Sequence, residues 1–377
     1  MTETPRQLRV LLAGTFEPEF ARNRVISTLL ARSGFEVETV HRSLWGSTRY
    51  ALVDQPKAQL LLRAVRAYVS LAWGVLRHPR PDLILVLYPG YFDMPVVGIL
   101  AKLRRIPLAF DIFISLHDTV VVDRGLRGRR SLLGRLTLLV DRVACRLADL
   151  VLADTPAHAD YFAALTGVPR RRFQIVWLGA REDVFGPRPD VAPDPRLVEF
   201  HGTFIPLQGL ETIVRAAKIL EEDGIRLRLI GDGQERRRID DLIRDLSVAN
   251  IELPGLLPVD RIPVEIASAS LCLGIFGTTP KAGRVVPNKV FECLAVGRPV
   301  VTADTPAMRA AFDGEVVLVP PGAPDELADA IRRLMADDDG LRRLAAAGQA
   351  RYVRDYGEVP LAALLAKHLR ALVDRTG

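Results

Sequence analysis

The chain has 377 residues, 49% hydrophobic and 25% charged, with 26 prolines spread without period; this excludes a disordered or collagen-like chain and fits two domains of ordinary size. Its net charge of +6 is uneven, because residues 1–190 carry 27 Lys plus Arg against 18 Asp plus Glu and the rest carry 24 against 27, so the first half is expected to meet an anionic partner. No 18-residue apolar run or secretory leader is visible, and Cys145, Cys272 and Cys293 sit in apolar patterns without metal-ligand spacing, so reduced thiols and a cytoplasmic address are expected.

Along the chain, apolar runs alternate with amphipathic stretches. Strands are predicted at 8–13, 37–40, 83–87, 107–112, 150–153 and 173–177, and helices at 22–33 and 57–77. Near-continuous Val, Ile and Leu runs of this kind suit parallel strands buried on both faces. The stretch GPRPDVAPDP, 186–195, breaks the periodicity and reads as a linker. Strands then resume at 197–201, 225–230, 251–253, 271–275, 299–302 and 316–319, and helices follow from Asp325. The expectation is α/β: two Rossmann-like doubly wound domains, 1–188 and 189–377, facing a cleft, with the last helix able to pack back on the first.

The segment TTPKAGRVVPNKVFECLAVGRPVV, 278–301, carries the most chemistry. A loop running into a helix start offers unpaired N–H groups and the positive end of the dipole, which favour phosphate. Lys289 adds a full charge, and Glu292, one turn on, is placed to accept ribose hydroxyls. The same spacing also fits an ordinary sheet-flanking helix capped by Asn288. The glycines of Gly231-Asp232-Gly233 follow a strand, but Arg236 stands where a dinucleotide fingerprint needs its third glycine.

In order, WLGAREDVF (177–185), FHGTFIPLQGLETIVRAAKIL (200–220), LRLIGDGQERRRIDDL (227–242), IELPGLLP (251–258) and PNKVFECLAVGRPVV (287–301) resemble the glycosyltransferase family 4 pattern. The resemblance implies the GT-B fold and a retaining, hexosyltransferase-type enzyme using a nucleotide-diphosphate sugar as substrate. No metal ligands are evident, since Asp337-Asp338-Asp339 reads as a solvated turn, so metal-independent chemistry with no cofactor is expected. The resemblance further implies donor contacts from Gly14, Gly231, Gly233, Leu257 and Glu292, and from the loop holding Lys281 and Gly283. Three positions depart from the family pattern. Thr203 and Gln208 stand where an Arg and a Lys usually grip the diphosphate, and Arg284 stands where a Glu usually contacts the sugar. Arg284, Asn288 and Lys289 are read as restoring the missing charge from the opposite side.

In the first domain, His117 and Asp118 follow a strand end where the family places sugar-facing groups, and Asp111 is read as either a catalytic carboxylate or a buried structural partner. Glu17, Arg22 and Asn23 are candidate acceptor contacts. The stretch 57–80 mixes apolar residues and Trp73 with Arg63, Arg66, Arg77 and Arg80; with GLRGRR, 125–130, it fits either an interfacial helix on anionic lipid or a core helix with snorkelling arginines. The expected partners are a nucleotide sugar, a glycan or lipid-linked acceptor and the inner face of the cell membrane. No nucleic acid is expected, since the basic residues are not interleaved with aromatics. A nucleotide-sugar epimerase or hydrolase on the same fold, and a non-catalytic binding protein, are the alternatives.

Overall fold

The computed structural model describes residues 7–44, 57–123 and 131–376. It divides into two compact units, Met1–Trp177 with Leu361–Gly377, and Leu178–Pro360.

The first unit comprises β1 (Arg9–Gly14), α1 (Ala21–Arg32), β2 (Glu36–His41), α2 (Lys57–Arg77), β3 (Leu83–Val86), α3 (Asp93–Leu103), β4 (Leu108–Asp111), α4 (Leu132–Leu147), β5 (Leu150–Ala153), α5 (Pro156–Thr166) and β6 (Phe173–Ile175). Its strands pair in parallel in the order β2-β1-β3-β4-β5-β6. β3, β4 and β5 are buried along their whole length, as expected for parallel strands with helices on both faces.

The second unit comprises β7 (Asp194–His201), α6 (Leu210–Ile219), β8 (Arg226–Ile230), α7 (Arg236–Asp245), β9 (Ile251–Gly255), α8 (Ile262–Ser268), β10 (Ala269–Leu273), α9 (Asn288–Val296), β11 (Val300–Ala303), α10 (Pro306–Ala311), β12 (Val317–Val319), α11 (Pro324–Met335) and α12 (Asp338–Arg351). Its order, β12-β11-β10-β7-β8-β9, is the doubly wound arrangement with its reversal between β7 and β10. The reversal leaves a crevice at the carboxyl ends of those two strands, where ligands of such sheets bind.

The last helix, α13 (Glu358–Thr376), contributes Leu361, Leu365, Leu369 and Leu372 to the first unit's core beside Leu12, Ile26 and Leu30. The division at Trp177 and Leu178 lies earlier than the boundary expected at 188. The Pro-rich stretch belongs to the second unit because the chain before it is packed there: Leu178 and Phe185 are buried, and Glu182 Oε1 accepts from the Glu358 amide at 2.9 Å. The prolines mark irregular backbone in this case, and the linker reading is corrected.

Candidate active site

The carboxyl edge of the second sheet is assembled by close backbone approach. β7 ends at His201 and turns through Gly202-Thr203; β8 ends at Ile230 and turns through Gly231-Asp232-Gly233. The Gly202 amide donates to the Ile230 carbonyl at 2.9 Å, and the Phe204 amide to that of Asp232 at 2.9 Å. A Cβ on Gly231, whose φ is +146°, would lie 1.9 Å from the Gly202 carbonyl oxygen, so a side chain there would force the two turns apart. Gly233 packs against the Phe204 backbone in the same way. The Gly231 amide also reaches the Gly255 carbonyl at 2.9 Å, which sets the exposed Leu256 and half-buried Leu257 beside the same edge.

α9 enters this edge from the loop after β10. Asn288 is its first residue; the preceding Pro287, and not Asn288, holds the cap position, and it offers no side-chain cap to the leading amides. The expectation of an Asn288 cap is thereby corrected. Lys289 is buried, with Nζ 2.6 Å from Gln208 Oε1 and 3.4 Å from the Phe200 ring centroid. A Cβ on Gly202 would stand 2.9 Å from the same Nζ, so the ammonium lies against the Gly202-Thr203 turn. Two residues separated by 81 positions, Gln208 and Lys289, are thus one polar pair. Burial pulls the Lys289 pKa down to about 7, against the opposing pull of Glu199, Cys293 and Glu292. Thr203 is exposed beside this pair. Gly283 and Arg284 belong to the short turn Ala282–Arg284 between β10 and α9, and Lys281 immediately precedes it. A cavity of about 350 Å³, lined in part by Pro206, Gly209, Arg215, Gly277 and Thr278, shares the turn that carries Gln208.

One turn further along α9, Glu292 is partly exposed, and its Oε2 lies 2.8 Å from His201 Nε2. His201 Nδ1 lies 2.9 Å from Oε1 of Glu199, whose side chain is fully buried. Burial alone would lower the His201 pKa, but the flanking carboxylates overcome it and raise it to about 9, so the ring is an imidazolium that donates to both. Neither Glu199 nor His201 was singled out in the sequence. The available signal was two polar residues at i and i+2 in an otherwise apolar strand, which places both on one face. Donor atoms of Glu199, His201 and Cys293 lie within 4.8 Å of one another. Both ring nitrogens of His201 are engaged by carboxylates, and burial pushes the Cys293 thiol pKa up.

In the first unit the sheet reverses at β1. Gly14 ends that strand, and the following Thr15 donates from its amide and hydroxyl to Asp93, at 2.8 and 2.9 Å. The Asp93 carboxyl is raised by burial and drawn back by those two bonds. His117 Nδ1 donates to the Gly134 carbonyl at 2.9 Å. Asp118 is buried and accepts from the Tyr161 hydroxyl. Asp111 is different: it pairs with Arg22 at 2.9 Å, both side chains fully buried, and the guanidinium also donates to the Val176 carbonyl at 2.6 Å. Its carboxylate is thus held by a buried guanidinium, the geometry expected of the structural alternative. Of the candidate acceptor contacts, Arg22 is engaged by Asp111, and the buried Asn23 amide donates to the Glu17 and Tyr88 carbonyls. The segment 125–130 lies outside the described residues.

Two family models match the chain: glycosyl transferase 4-like domain over residues 21–179, and glycosyl transferases group 1 over residues 195–337. The chain belongs to the family 4 glycosyltransferases. This glycosyltransferase is 28% identical over 330 residues to a D-inositol 3-phosphate glycosyltransferase of Thermobispora bispora, an alignment covering 80% of this chain and 74% of that protein. It is 24% identical to an MMP alpha-(1->4)-mannosyltransferase of Mycolicibacterium hassiacum, over 68% of this chain and 64% of that one. An exopolysaccharide phosphotransferase of Streptomyces coelicolor is 34% identical over 149 residues, and there the match spans only 15% of the relative's length. Among solved structures, sucrose-phosphate synthase of Thermosynechococcus elongatus superposes with a TM-score of 0.73 at 19% identity, covering 98% of this chain and all of that one. Anabaena HepE in complex with UDP-glucose superposes with a TM-score of 0.70 at 18% identity, covering 97% and 100%. The two doubly wound units are those of the GT-B fold.

Proposed function

We propose that this glycosyltransferase moves a hexose, with retention, from a nucleotide-diphosphate sugar to a glycan or lipid-linked acceptor, without a metal. The observation that carries the reading is the pairing of Lys289 with Gln208 against the Gly202-Thr203 turn, at the sheet reversal. The departing nucleoside diphosphate gathers negative charge. The Lys289 ammonium and the amides that open α9 meet that charge, with Arg284 as the second cation. Glu292 receives the ribose hydroxyls, the 277–283 loop borders the sugar, and His117 and Asp118 are the first unit's groups for sugar or acceptor hydroxyls. The test is a thermal-shift panel of UDP-, GDP- and ADP-sugars. A ligand at 100 times its Kd stabilises by about 2.7 kcal/mol. Glu292→Gln and Lys289→Ala should lose that response and turnover while remaining folded; full activity in both would overturn the assignment. Release of free sugar without acceptor would instead mark a hydrolase.

A lipid-linked acceptor at an anionic membrane is favoured by the outer helices of the first unit. α2 exposes Leu61, Val69 and Trp73, α3 exposes Leu103, and α4 exposes Leu132 and Leu136. The Arg77 guanidinium lies 4.1 Å from the Trp73 ring centroid. Among the described residues no helix is long and apolar enough to cross a membrane. Sedimentation with phosphatidylglycerol-containing vesicles is expected to carry the protein down. Trp73→Ala combined with Leu136→Ser should weaken binding roughly tenfold or more, the scale of losing two apolar side chains from the interface. Equal recovery in the supernatant with and without vesicles would remove the membrane reading.

A further inference from the structure

Glu292 has a partner that nothing in its proposed ribose contact requires. His201 bridges it to Glu199, and the bridge is built from a buried strand, where a histidine is costly unless both nitrogens are satisfied. We propose that Glu199 and His201 are positioning residues that hold the Glu292 carboxylate in the orientation that reads the donor ribose. This inference rests on the reading of Glu292 as the ribose contact.

The geometry supports it in three steps. Glu199 is fully buried within β7, so its carboxylate is an immobile anchor. His201, two residues on along the same face, spans from that anchor to α9 with bonds of 2.9 and 2.8 Å. The second bond occupies Oε2 of Glu292 and leaves Oε1 for a hydroxyl. A carboxylate held this way keeps one rotamer before ligand arrives, which lowers the ordering cost of binding. His201 faces Glu199 on its own strand and Glu292 and Cys293 on α9; Lys289 on α9 and Cys272 on β10 in turn interact with Glu199.

Because Lys289 acts on phosphate and Glu292 on ribose, the two contributions separate when one nucleotide is compared with and without its ribose hydroxyls. Calorimetric titrations of wild type, Glu199→Gln, His201→Gln and Glu292→Gln with UDP, GDP and ADP, each beside its 2′,3′-dideoxy counterpart, provide that comparison. Wild type is expected to prefer the ribo form by about tenfold or more, the scale of a hydrogen bond to a charged group. Glu292→Gln should abolish the preference. Glu199→Gln and His201→Gln should cut it to about twofold while binding the dideoxy form as wild type does, and should raise the donor KM more than they lower kcat. If the preference survives in both while Glu292→Gln loses it, the positioning role is overturned. If Glu292→Gln itself retains the preference, the ribose reading of that carboxylate fails instead. Should His201→Gln not fold, the isosteric Glu199→Gln decides alone.

Discussion

Replacing Lys289 with Met is expected to abolish the response of the protein to nucleoside diphosphates and, at the same time, to raise the stability of the unliganded chain. The ammonium is buried, and its pKa is drawn down to about 7 from the usual 10.5 by loss of water. A depressed lysine pKa means that folding penalises the charged form. The penalty is complete below pH 7, is relieved as pH rises from 7 toward 10.5, and is absent in Met. Removing the buried charge relieves that penalty, offset by the lost contact with Gln208 and the lost attraction of Glu199 and Glu292. Thermal melts of both proteins from pH 6 to pH 10 should show a gap that closes with rising pH. In the wild type, diphosphate binding should take up a proton at pH 8, and affinity should fall up to tenfold per pH unit above 7. Titrations in two buffers of different ionisation enthalpy measure that uptake. A pH-independent affinity with no proton uptake would remove Lys289 from the phosphate site. His201 acts with the opposite sign: its pKa is raised to about 9, so its stabilisation is full below the unfolded value near 6.5 and is lost as pH rises through 9. The two effects oppose each other between pH 7 and 9, and the Lys289→Met difference curve separates them.

The Asp111→Ala variant is expected to lose about 3–5 kcal/mol of stability, the penalty for leaving a buried charge without its partner. Asp111 and Arg22 are both fully buried, and the guanidinium makes a forked contact, Nε to Oδ2 at 3.0 Å and Nη2 to Oδ1 at 2.9 Å. Burial raises the Asp111 pKa, and the Arg22 charge draws it back. Removing the carboxylate strands a guanidinium inside the first sheet's carboxyl edge. Arg22→Met alone should also destabilise, whereas Arg22→Met with Asp111→Leu should recover much of the loss, a non-additivity that a double-mutant cycle reads directly. Activity of Asp111→Ala, assayed well below its melting temperature, should retain the wild-type donor KM. A variant with an unchanged melting temperature and an abolished kcat would instead place Asp111 in the chemistry.

The turn Gly231-Asp232-Gly233, the α2 span and the helix that opens at Asn288 were legible because local rules suffice for them: glycine after a strand, a 3.6-residue apolar period, and a loop ending in Pro-Asn-Lys. The linker failed on the same kind of rule. Prolines at 187–195 signal irregular backbone equally well inside a packed unit as between units, and only the burial of Leu178 and Phe185 distinguishes the two. Thr203 and Gln208 in the sequence looked like lost cations, and the adjacency of Lys289 to Gln208 needed coordinates because 81 residues separate them.

By itself the sequence determined the alternation of strands and helices, the burial of both sheet faces and the family, since each is carried by periodicity and short motifs. Tertiary structure alone decided which polar side chains meet. Arg22 finds Asp111 across 89 residues, and His201 finds Glu292 across 91. The crossovers that bring β4 beside β1's neighbour β3 and α9 over the end of β7 set those encounters. A buried charge is stable only beside its partner, and no local pattern records which distant residue that partner is.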